Sequence, residues 1–256
     1  MIQPPSSIDV LGCRVDNVTM AESVAWCDAL IQAGRPAYVV TPNAEIVMQA
    51  QRMPDLRRLI NSSQLSIPDG ASLLLAGRML GRPLREQVTG TDLSYELARL
   101  ASRRGYRMFL LGAAEGVAQA AAARLVARYP GLQIAGTFGG WSRPEGDAET
   151  RAAVAAAAPV DILLVAYGAP WQERWIGRNA ADLDVKLAMG VGGVFDFIAG
   201  RVRRAPRWLR RIGFDWLFRL AVQPWRWRRQ LTIPQFLWQV LLERARRARR
   251  PAAPAQ

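Results

Sequence analysis

The sequence of 256 residues contains no histidine, and this absence limits its chemistry. Without imidazole there is no Ser-His-Asp or Cys-His relay and no histidine-ligated metal site. A general base must therefore be a carboxylate, a lysine, a tyrosine or a cysteine. The two cysteines, Cys13 and Cys27, allow at most one disulfide and lack the spacing of a zinc site. We expect them to be buried free thiols.

Long hydrophobic segments are also lacking. No uncharged apolar run reaches the roughly 18 residues that a membrane-spanning helix needs. Residues 1–5 show neither the basic start nor the apolar stretch of a signal peptide. We therefore expect a cytoplasmic protein.

The positive charge is confined to one end of the chain. The formal net charge is +13, yet residues 1–200 carry 19 basic and 19 acidic side chains. Residues 201–250 contain 15 arginines and two acids. We predict a neutral globular domain over residues 1–200 and a cationic helical appendage over residues 201–256, with a disordered end. Its partner would be an anion such as phosphate, nucleic acid or an acidic membrane surface.

Short apolar runs alternate with helical patterns through the first 200 residues. Strands are predicted at residues 37–40, 65–67, 107–111, 132–138, 162–167 and 185–189. Helices are predicted between them, with a break at Pro54 and with Thr91 as the N-cap of a helix that reaches Arg104. Apolar strands that alternate with helices form a parallel sheet covered on both faces. The predicted fold class is α/β and Rossmann-like, followed by the basic helical appendage.

Polar residues follow the predicted strands. Thr41 and Asn43 come after the first strand, and Asp69 comes after the second. Because parallel sheets bind ligands at the carboxyl ends of their strands, we expect these side chains to share one site. Two interpretations stay open for each. Asp69 is a general base or part of an Asp-Gly turn, and Thr41 and Asn43 bind a sugar or phosphate or cap a helix.

Glycine-rich turns follow other strands. Residues 112–116 resemble a phosphate-binding turn at a helix N-terminus but lack a full dinucleotide fingerprint. Residues 190–196 either approach a ligand closely or form a tight turn into a helix. Asp182 and Asp184 have the spacing that sugar transferases use to hold a metal, but they precede a strand and favour a solvated turn.

The appendage combines arginine with tryptophan, since five of the nine tryptophans lie in it. Prolines at positions 206, 224 and 234 divide it into predicted helices near residues 207–222, 225–232 and 235–249. Apolar residues recur every fourth position in the first of these helices: Trp208, Ile212, Trp216 and Leu220. Basic amphipathic helices with tryptophan suit a membrane surface, where indole lies at the headgroup level.

Taken in order, these motifs resemble the WecG/TagA/CpsF glycosyltransferases. The resemblance covers about residues 8–240, and six blocks keep their order and spacing. The blocks are Thr41-Pro42-Asn43, Pro68-Asp69-Gly70, Val88-Thr89-Gly90-Thr91-Asp92-Leu93, Gly168-Ala169-Pro170-Trp171-Gln172-Glu173, Met189-Gly190-Val191-Gly192-Gly193-Val194-Phe195-Asp196, and Arg203-Arg204-Ala205-Pro206 with Gly213-Phe214-Asp215-Trp216-Leu217.

The resemblance implies an inverting transferase of bacterial exopolysaccharide or cell-surface polysaccharide biosynthesis. It would move a sugar from a UDP-sugar to a polyprenyl-diphosphate-linked sugar and form a β-linkage. N-acetylmannosamine, its uronic acid and glucose all fit as the donor sugar. The resemblance further implies no metal or other cofactor and a peripheral position on the inner face of the cell membrane. The oligomeric state stays open, and a homo-oligomer is compatible with this function.

The resemblance also implies roles for individual residues. Asp69 matches the catalytic base. Polar residues of the donor and acceptor pocket are Thr41, Asn43 and Gln172. The nucleotide region comprises Gly190, Gly192, Gly193 and Asp196, with Trp141 placed to stack on uracil. The appendage would contact the lipid diphosphate and the membrane through Arg203, Arg204, Arg207, Arg210, Arg211, Arg219, Trp208 and Trp216.

One position departs from the family pattern. Relatives carry arginine directly before the block that starts at Val88, whereas this sequence has Gln87 there and Arg85 two residues earlier. An amide cannot supply the charge with which a guanidinium neutralises a diphosphate. Arg85 or an arginine of the appendage is the candidate substitute.

Two other functional classes stay open at this point. A nucleic-acid-binding protein would use the interleaved arginines and tryptophans of the appendage. A non-catalytic membrane scaffold would use the same surface without chemistry. Neither explains the polar residues at the strand ends, so we expect no nucleic-acid partner.

Overall fold

The computed structural model describes residues 4–206, 215–222 and 231–249, together with Leu209 and Trp227. Within these residues a hairpin is followed by a six-stranded sheet. The strands are β1 (Ser7–Val10), β2 (Cys13–Asp16), β3 (Ala37–Val40), β4 (Leu65–Ser66), β5 (Arg107–Gly112), β6 (Gln133–Phe138), β7 (Val160–Ala166) and β8 (Val185–Gly190). The order in the sheet is β4-β3-β8-β7-β5-β6.

Every neighbouring pair in the sheet is parallel, which confirms the predicted α/β, Rossmann-like fold class. All six predicted strands are present, and their bounds differ from the prediction by two residues at the most. The agreement has a simple cause. A parallel strand is buried on both faces, so it stands out in the sequence as an apolar run, as all seven residues of β7 do.

Helices cover both faces of the sheet. They are α1 (Met20–Ala33), α2 (Ala44–Arg52), α3 (Pro54–Ser62), α4 (Ala71–Met79), α5 (Gly90–Arg104), α6 (Val117–Arg128), α7 (Asp147–Ala155), α8 (Trp171–Asn179), α9 (Val194–Ile198), α10 (Asp215–Val222) and α11 (Thr232–Arg249). On one face, Leu110 and Leu164 pack with α1, α5, α6 and α9. On the other, Leu163 and Val165 pack with α7 and α8.

The sheet has a switch point between β3 and β8. The chain leaves β3 into α2, whose residues Ile46 and Val47 pack in the core on one side. It leaves β8 into α9, whose residues Phe195 and Ile198 pack in the core on the other side. Connections that depart in opposite directions open a crevice at the carboxyl ends of the strands, where open α/β sheets bind ligands.

Residues 7–36 carried no predicted element, although a signal was present. Thr19 and Glu22 form a capping box at the start of α1, with Thr19 Oγ1 accepting from the Glu22 amide and Glu22 Oε2 accepting from the Thr19 amide. Ahead of it, β1 and β2 pair across a two-residue turn in which Leu11 and Gly12 both have positive φ. The expected burial of Cys13 and Cys27 as free thiols is confirmed.

Two predicted helix boundaries are tested by the structure. The break at Pro54 is confirmed, because Pro54 is the first residue of α3, where its missing N–H costs nothing. The predicted N-cap Thr91 is wrong. Thr89 caps α5, with extended backbone and with Oγ1 accepting from the Asp92 amide at 3.1 Å, and Thr91 lies inside the helix.

The C-terminal helix α11 packs into the core of the molecule. Phe236 and Val240 are fully buried against residues of α2 and α4 such as Val47 and Leu73. The helix begins three residues before the predicted start, because Pro234 is tolerated in a first turn. The division of the chain at residue 200 stays a prediction, but α11 shares a hydrophobic core with helices that precede it.

The other predicted appendage helices are described only in part. Of the helix predicted at 207–222, the structure describes α10, the backbone of Trp216 and Arg219 included, and Leu209. Arg207, Trp208, Arg210, Arg211 and Ile212 lie outside the described residues, as does most of the segment 225–232.

We expect Phe236→Ala to lower the free energy of unfolding by about 3–5 kcal/mol, because it leaves a cavity between α11, α2 and α4. Trp238→Ala is the matched control, since Trp238 lies on the same helix and is 60% exposed. Urea denaturation monitored by circular dichroism measures both. Equal, small effects of the two substitutions would show that α11 is not packed on the core.

Candidate functional site

A cavity of about 1000 Å³ opens at the carboxyl ends of β3, β4, β7 and β8, at the switch point of the sheet. Residues to which the sequence analysis gave separate roles, as base, pocket, nucleotide region or lipid-diphosphate contact, line it together: Thr41, Asn43, Asp69, Arg85, Gln87, Gln172, Gly192, Gly193, Arg203 and Arg204. Gly190 does not line the cavity, but its carbonyl accepts from Oγ1 of the lining residue Thr41 at 3.2 Å. The tertiary fold therefore brings together side chains from four strand ends and from residues 203–204.

Asp69 is anchored at the end of β4. Its backbone amide donates to the carbonyl of Pro42 at 3.0 Å, and its Oδ2 accepts from the amide of Gly90 at 3.1 Å. Gly90 is the first residue of α5, so a free amide of that helix end meets the carboxylate. A Cβ at Gly90 would lie 3.2 Å from Thr41 Cγ2, tighter than ordinary contact, which explains glycine there. The half-buried carboxylate is thus fixed in a polar wall of the cavity.

Thr41 and Asn43 serve the fold as well as the cavity. Thr41 is buried and ties the end of β3 to the end of β8 through its bond to Gly190. Asn43 Oδ1 accepts from the amide of Ile46 at 3.0 Å and caps α2. The helix-cap interpretation of Asn43 is therefore realised, and the side chain lines the cavity at the same time.

Gln172 joins the loops that follow β7 and β8. Its Oε1 accepts from the amide of Gly168 at 3.1 Å and from the amide of Gly192 at 2.7 Å. Its Nε2 donates to Glu173 Oε1 at 2.8 Å. Burial raises the pKa of Glu173, which is 1% exposed and forms no ion pair within the described residues. The family resemblance implied a substrate-binding role for Gln172, but these hydrogen bonds are made to other residues of the protein, and Glu173 had no assigned role.

The three arginines of the cavity differ in whether their guanidinium groups form ion pairs with described carboxylates. Arg85 donates to both carboxylate oxygens of Glu22, with the shorter contact at 2.5 Å, and this holds the pKa of Glu22 below its usual range. Arg204 forms a two-point ion pair with Asp92 at 2.6 Å for each oxygen. Arg203 is exposed and forms no hydrogen bond or ion pair with another described residue. Of these three, Arg203 is the guanidinium that no described residue engages, so it is the candidate to meet an anion in the cavity.

A second cavity, of about 520 Å³, lies at the carboxyl ends of β5 and β6. The predicted turn at residues 112–116 forms one wall, and Gly140 and Trp141 form the other. Trp141 is 67% exposed, so its ring is open to a ligand. Trp141 therefore lines a different cavity from Asp69. Asp196 lines neither cavity, and its carbonyl accepts from the amides of Arg201 and Val202 at the end of α9.

Asp182 and Asp184 lie away from both cavities, at the amino end of β8. Asp182 pairs with Arg151 at 3.6 Å, and both side chains are exposed. This placement agrees with the solvated-turn interpretation. In the part of the chain that the structure describes, no group of three cysteine or acidic side chains is placed to hold a metal ion. Nor is any described helix both long and apolar enough to cross a bilayer.

Comparison with known proteins gives the same assignment for most of the chain. The model of the glycosyl transferase WecG/TagA/CpsF family matches residues 8–250. A relative from Bacillus subtilis (strain 168) is 33% identical over 207 residues, which cover 81% of this chain and 80% of the relative. One from Staphylococcus aureus (strain MRSA252) is 30% identical over 237 residues, 92% of each chain. Both relatives are named N-acetylglucosaminyldiphosphoundecaprenol N-acetyl-beta-D-mannosaminyltransferase. The resemblance inferred from the motifs is confirmed: the chain belongs to the WecG/TagA/CpsF family of glycosyltransferases.

Proposed function

We propose that the protein is an inverting glycosyltransferase that moves a sugar from a UDP-sugar to a polyprenyl-diphosphate-linked sugar in bacterial cell-surface polysaccharide biosynthesis. The observation that carries the proposal is the carboxylate of Asp69, held by the first amide of α5 in the wall of a cavity that also contains Arg203. The names of the relatives support N-acetylmannosamine as the donor sugar and an N-acetylglucosaminyl-diphosphate lipid as the acceptor.

The reaction is a single displacement. Asp69 accepts the proton of the attacking acceptor hydroxyl, whose oxygen forms a bond to the anomeric carbon from the face opposite UDP. The bond from that carbon to the diphosphate oxygen breaks, UDP leaves with the electron pair, and the configuration inverts to give a β-linkage. Charge develops on the leaving diphosphate, and a positioned cation stabilises it. Arg203 is the group that we assign to this task, without a metal ion.

The second cavity suits the base of the donor nucleotide. Its walls are glycine-rich turns, which let a ligand approach the backbone, and the exposed ring of Trp141 offers a stacking surface. The donor would then reach from this cavity to Asp69. Such a placement keeps the role that the resemblance implied for Trp141.

The remaining wall of the large cavity suits a lipid. Apolar side chains from α4, α10 and α11 line it, among them Leu74, Phe218, Ile233 and Leu237. Trp227 and Leu231 are exposed ahead of α11, and Trp238 and Leu241 are exposed on α11 before its arginine-rich end at residues 244–249. We infer that the first isoprene units of the acceptor lie against this wall while the exposed residues meet an anionic membrane, which makes the enzyme peripheral on its inner face.

We expect Asp69→Asn to lower kcat about 10²–10⁴-fold, because an amide cannot accept the proton of the acceptor hydroxyl. UDP affinity, measured by calorimetry, should stay unchanged. Transfer is measured with UDP-N-acetylmannosamine and a short-chain polyprenyl-diphosphate-N-acetylglucosamine. Asp184→Asn is the matched control, because Asp184 is an exposed carboxylate at the amino end of β8, away from the cavity. Near-normal turnover of Asp69→Asn would refute its role as the base.

We expect Arg203→Ala to lower kcat/KM about 10–100-fold, since a charge-assisted hydrogen bond contributes about 1.5–3 kcal/mol. Initial rates in the same assay measure it, repeated with chelator to test the predicted independence of metal. Arg103→Ala removes an exposed arginine at the far end of α5 and should have no effect. A larger loss from Arg85→Ala than from Arg203→Ala would assign the diphosphate contact to Arg85 instead.

We expect Trp141→Ala to weaken UDP binding by about 5–150-fold, because stacking of a base on an aromatic ring contributes about 1–3 kcal/mol. Calorimetry gives the dissociation constant directly. Trp171→Ala is the matched control, since Trp171 is also partly exposed but lies outside the second cavity, with the guanidinium groups of Arg143 and Arg174 each 5.5 Å from its ring centroid. If both variants bind UDP like the unmodified protein, the nucleotide lies elsewhere.

A further inference from the structure

Glu173 is a buried acid for which the proposed reaction has no direct use. It is 1% exposed, and no arginine or lysine pairs with it within the described residues. Its Oε1 accepts from Gln172 Nε2 at 2.8 Å, whereas its Oε2 is buried without a hydrogen-bond partner. A buried oxygen without a partner destabilises a fold, so the presence of a glutamate here calls for a functional explanation and not one from stability.

We propose that Glu173 is a positioning residue that fixes the amide orientation of Gln172 and thereby holds the loops after β7 and β8 at the spacing needed for transfer. The inference rests on the proposed function for its activity readout. The structural part of the inference does not depend on that function, because it concerns only how the side chains of Gln172 and Glu173 and the amides of Gly168 and Gly192 are arranged.

The argument starts from the two ends of the Gln172 amide. Its oxygen accepts from two backbone amides, those of Gly168 and Gly192. If the side-chain amide turned over, its NH₂ group would face both N–H groups, and its oxygen would face Glu173 Oε1. Because Glu173 Oε1 accepts from the NH₂ group of Gln172, turning the amide over would also lose this hydrogen bond, and Glu173 therefore favours the observed orientation. A neutral glutamine alone has no such selection at its nitrogen end.

Close packing makes this orientation matter for the cavity. A Cβ at Gly190 would lie 2.8 Å from Gln172 Nε2, so the end of β8 rests directly on the side chain. Gly168 and Gly192 both have positive φ, and both line the cavity. A rotated or displaced amide would release two turns whose backbone conformations suit glycine and would shift the wall that faces Asp69.

The hydrogen-bond acceptor of Glu173, rather than a negative charge, is the feature that the role requires. A charge at this position would be buried without a cation, which is costly, and burial raises the pKa of the group toward the neutral acid. The amide oxygen of glutamine can replace the accepting carbonyl oxygen of a neutral acid. Leucine has a similar volume and no acceptor, so the pair Glu173→Gln and Glu173→Leu separates the acceptor from the packing.

The test compares these two variants in the full-length protein. We expect Glu173→Leu to fold with a Tm close to that of the unmodified protein, because loss of the unpaired Oε2 offsets loss of the acceptor for Gln172 Nε2, and yet to lose at least tenfold in kcat/KM for transfer to the lipid-linked acceptor. Glu173→Gln should recover activity to within about threefold of the unmodified protein. Asn179→Leu, a buried amide at the other end of α8, is the matched control and should leave transfer unaffected.

A second measurement does not depend on turnover. Amide hydrogen exchange at Gly168 and Gly192 should be at least tenfold faster in Glu173→Leu than in the unmodified protein and unchanged in Glu173→Gln. If the unmodified protein transfers no sugar from any UDP-sugar, the proposed function fails while this measurement still tests the inference.

Three results would overturn the inference. The first is a folded Glu173→Leu variant with normal transfer and normal exchange at both glycines. The second is an equal loss of activity in Glu173→Gln and Glu173→Leu, which would mean that the charge is required. The third applies if the leucine variant does not fold. Glu173→Met then takes its place, and normal transfer and exchange in that variant reject the positioning role.

Discussion

The site depends on hydrogen bonds that join the ends of strands whose connections leave the sheet in opposite directions. Thr41 ties the end of β3 to that of β8, and Gln172 ties the loops after β7 and β8 through two glycine amides. The crevice between diverging connections is a consequence of strand order, but its width is set by these bonds. Asp69, held by the first amide of α5, acquires a fixed place relative to that crevice.

The distribution of charge separates residues beyond position 200 from the rest of the chain, whereas hydrophobic packing joins part of them to it. The net positive charge lies beyond residue 200, which suggested an appendage separate from a neutral domain. In the structure Arg204 donates two hydrogen bonds to the carboxylate of Asp92 in α5, and Phe236 of α11 is buried against α2 and α4. Part of the arginine-rich region is therefore built into the cavity wall and the core. The Arg204–Asp92 pair anchors the neighbouring Arg203 at the cavity that Asp69 also lines, and the proposed function assigns Arg203 to the diphosphate there.

Two cavities on one edge of the sheet fit a reaction with two large substrates. One contains the acid, the arginines and an apolar wall, and the other offers glycine turns and an exposed indole. Family membership makes a nucleic-acid-binding protein or a non-catalytic scaffold poor explanations for this arrangement. The proposed transfer gives each cavity a substrate, with the donor base held in one and the acceptor lipid in the other.

The α/β class, the six sheet strands and the polar residues at their ends can be read from the sequence alone, because buried strands and the turns after them are encoded over a few neighbouring residues. The partners that those residues meet become known only from the folded chain. Arg85 pairs with Glu22, 63 positions away in the sequence, and Arg204 pairs with Asp92, 112 positions away. Neither ion pair could therefore be predicted from sequence spacing. The same holds for the burial of Glu173 and for the separation of Trp141 from Asp69. These features arise from the packing of distant segments, which a local pattern does not contain.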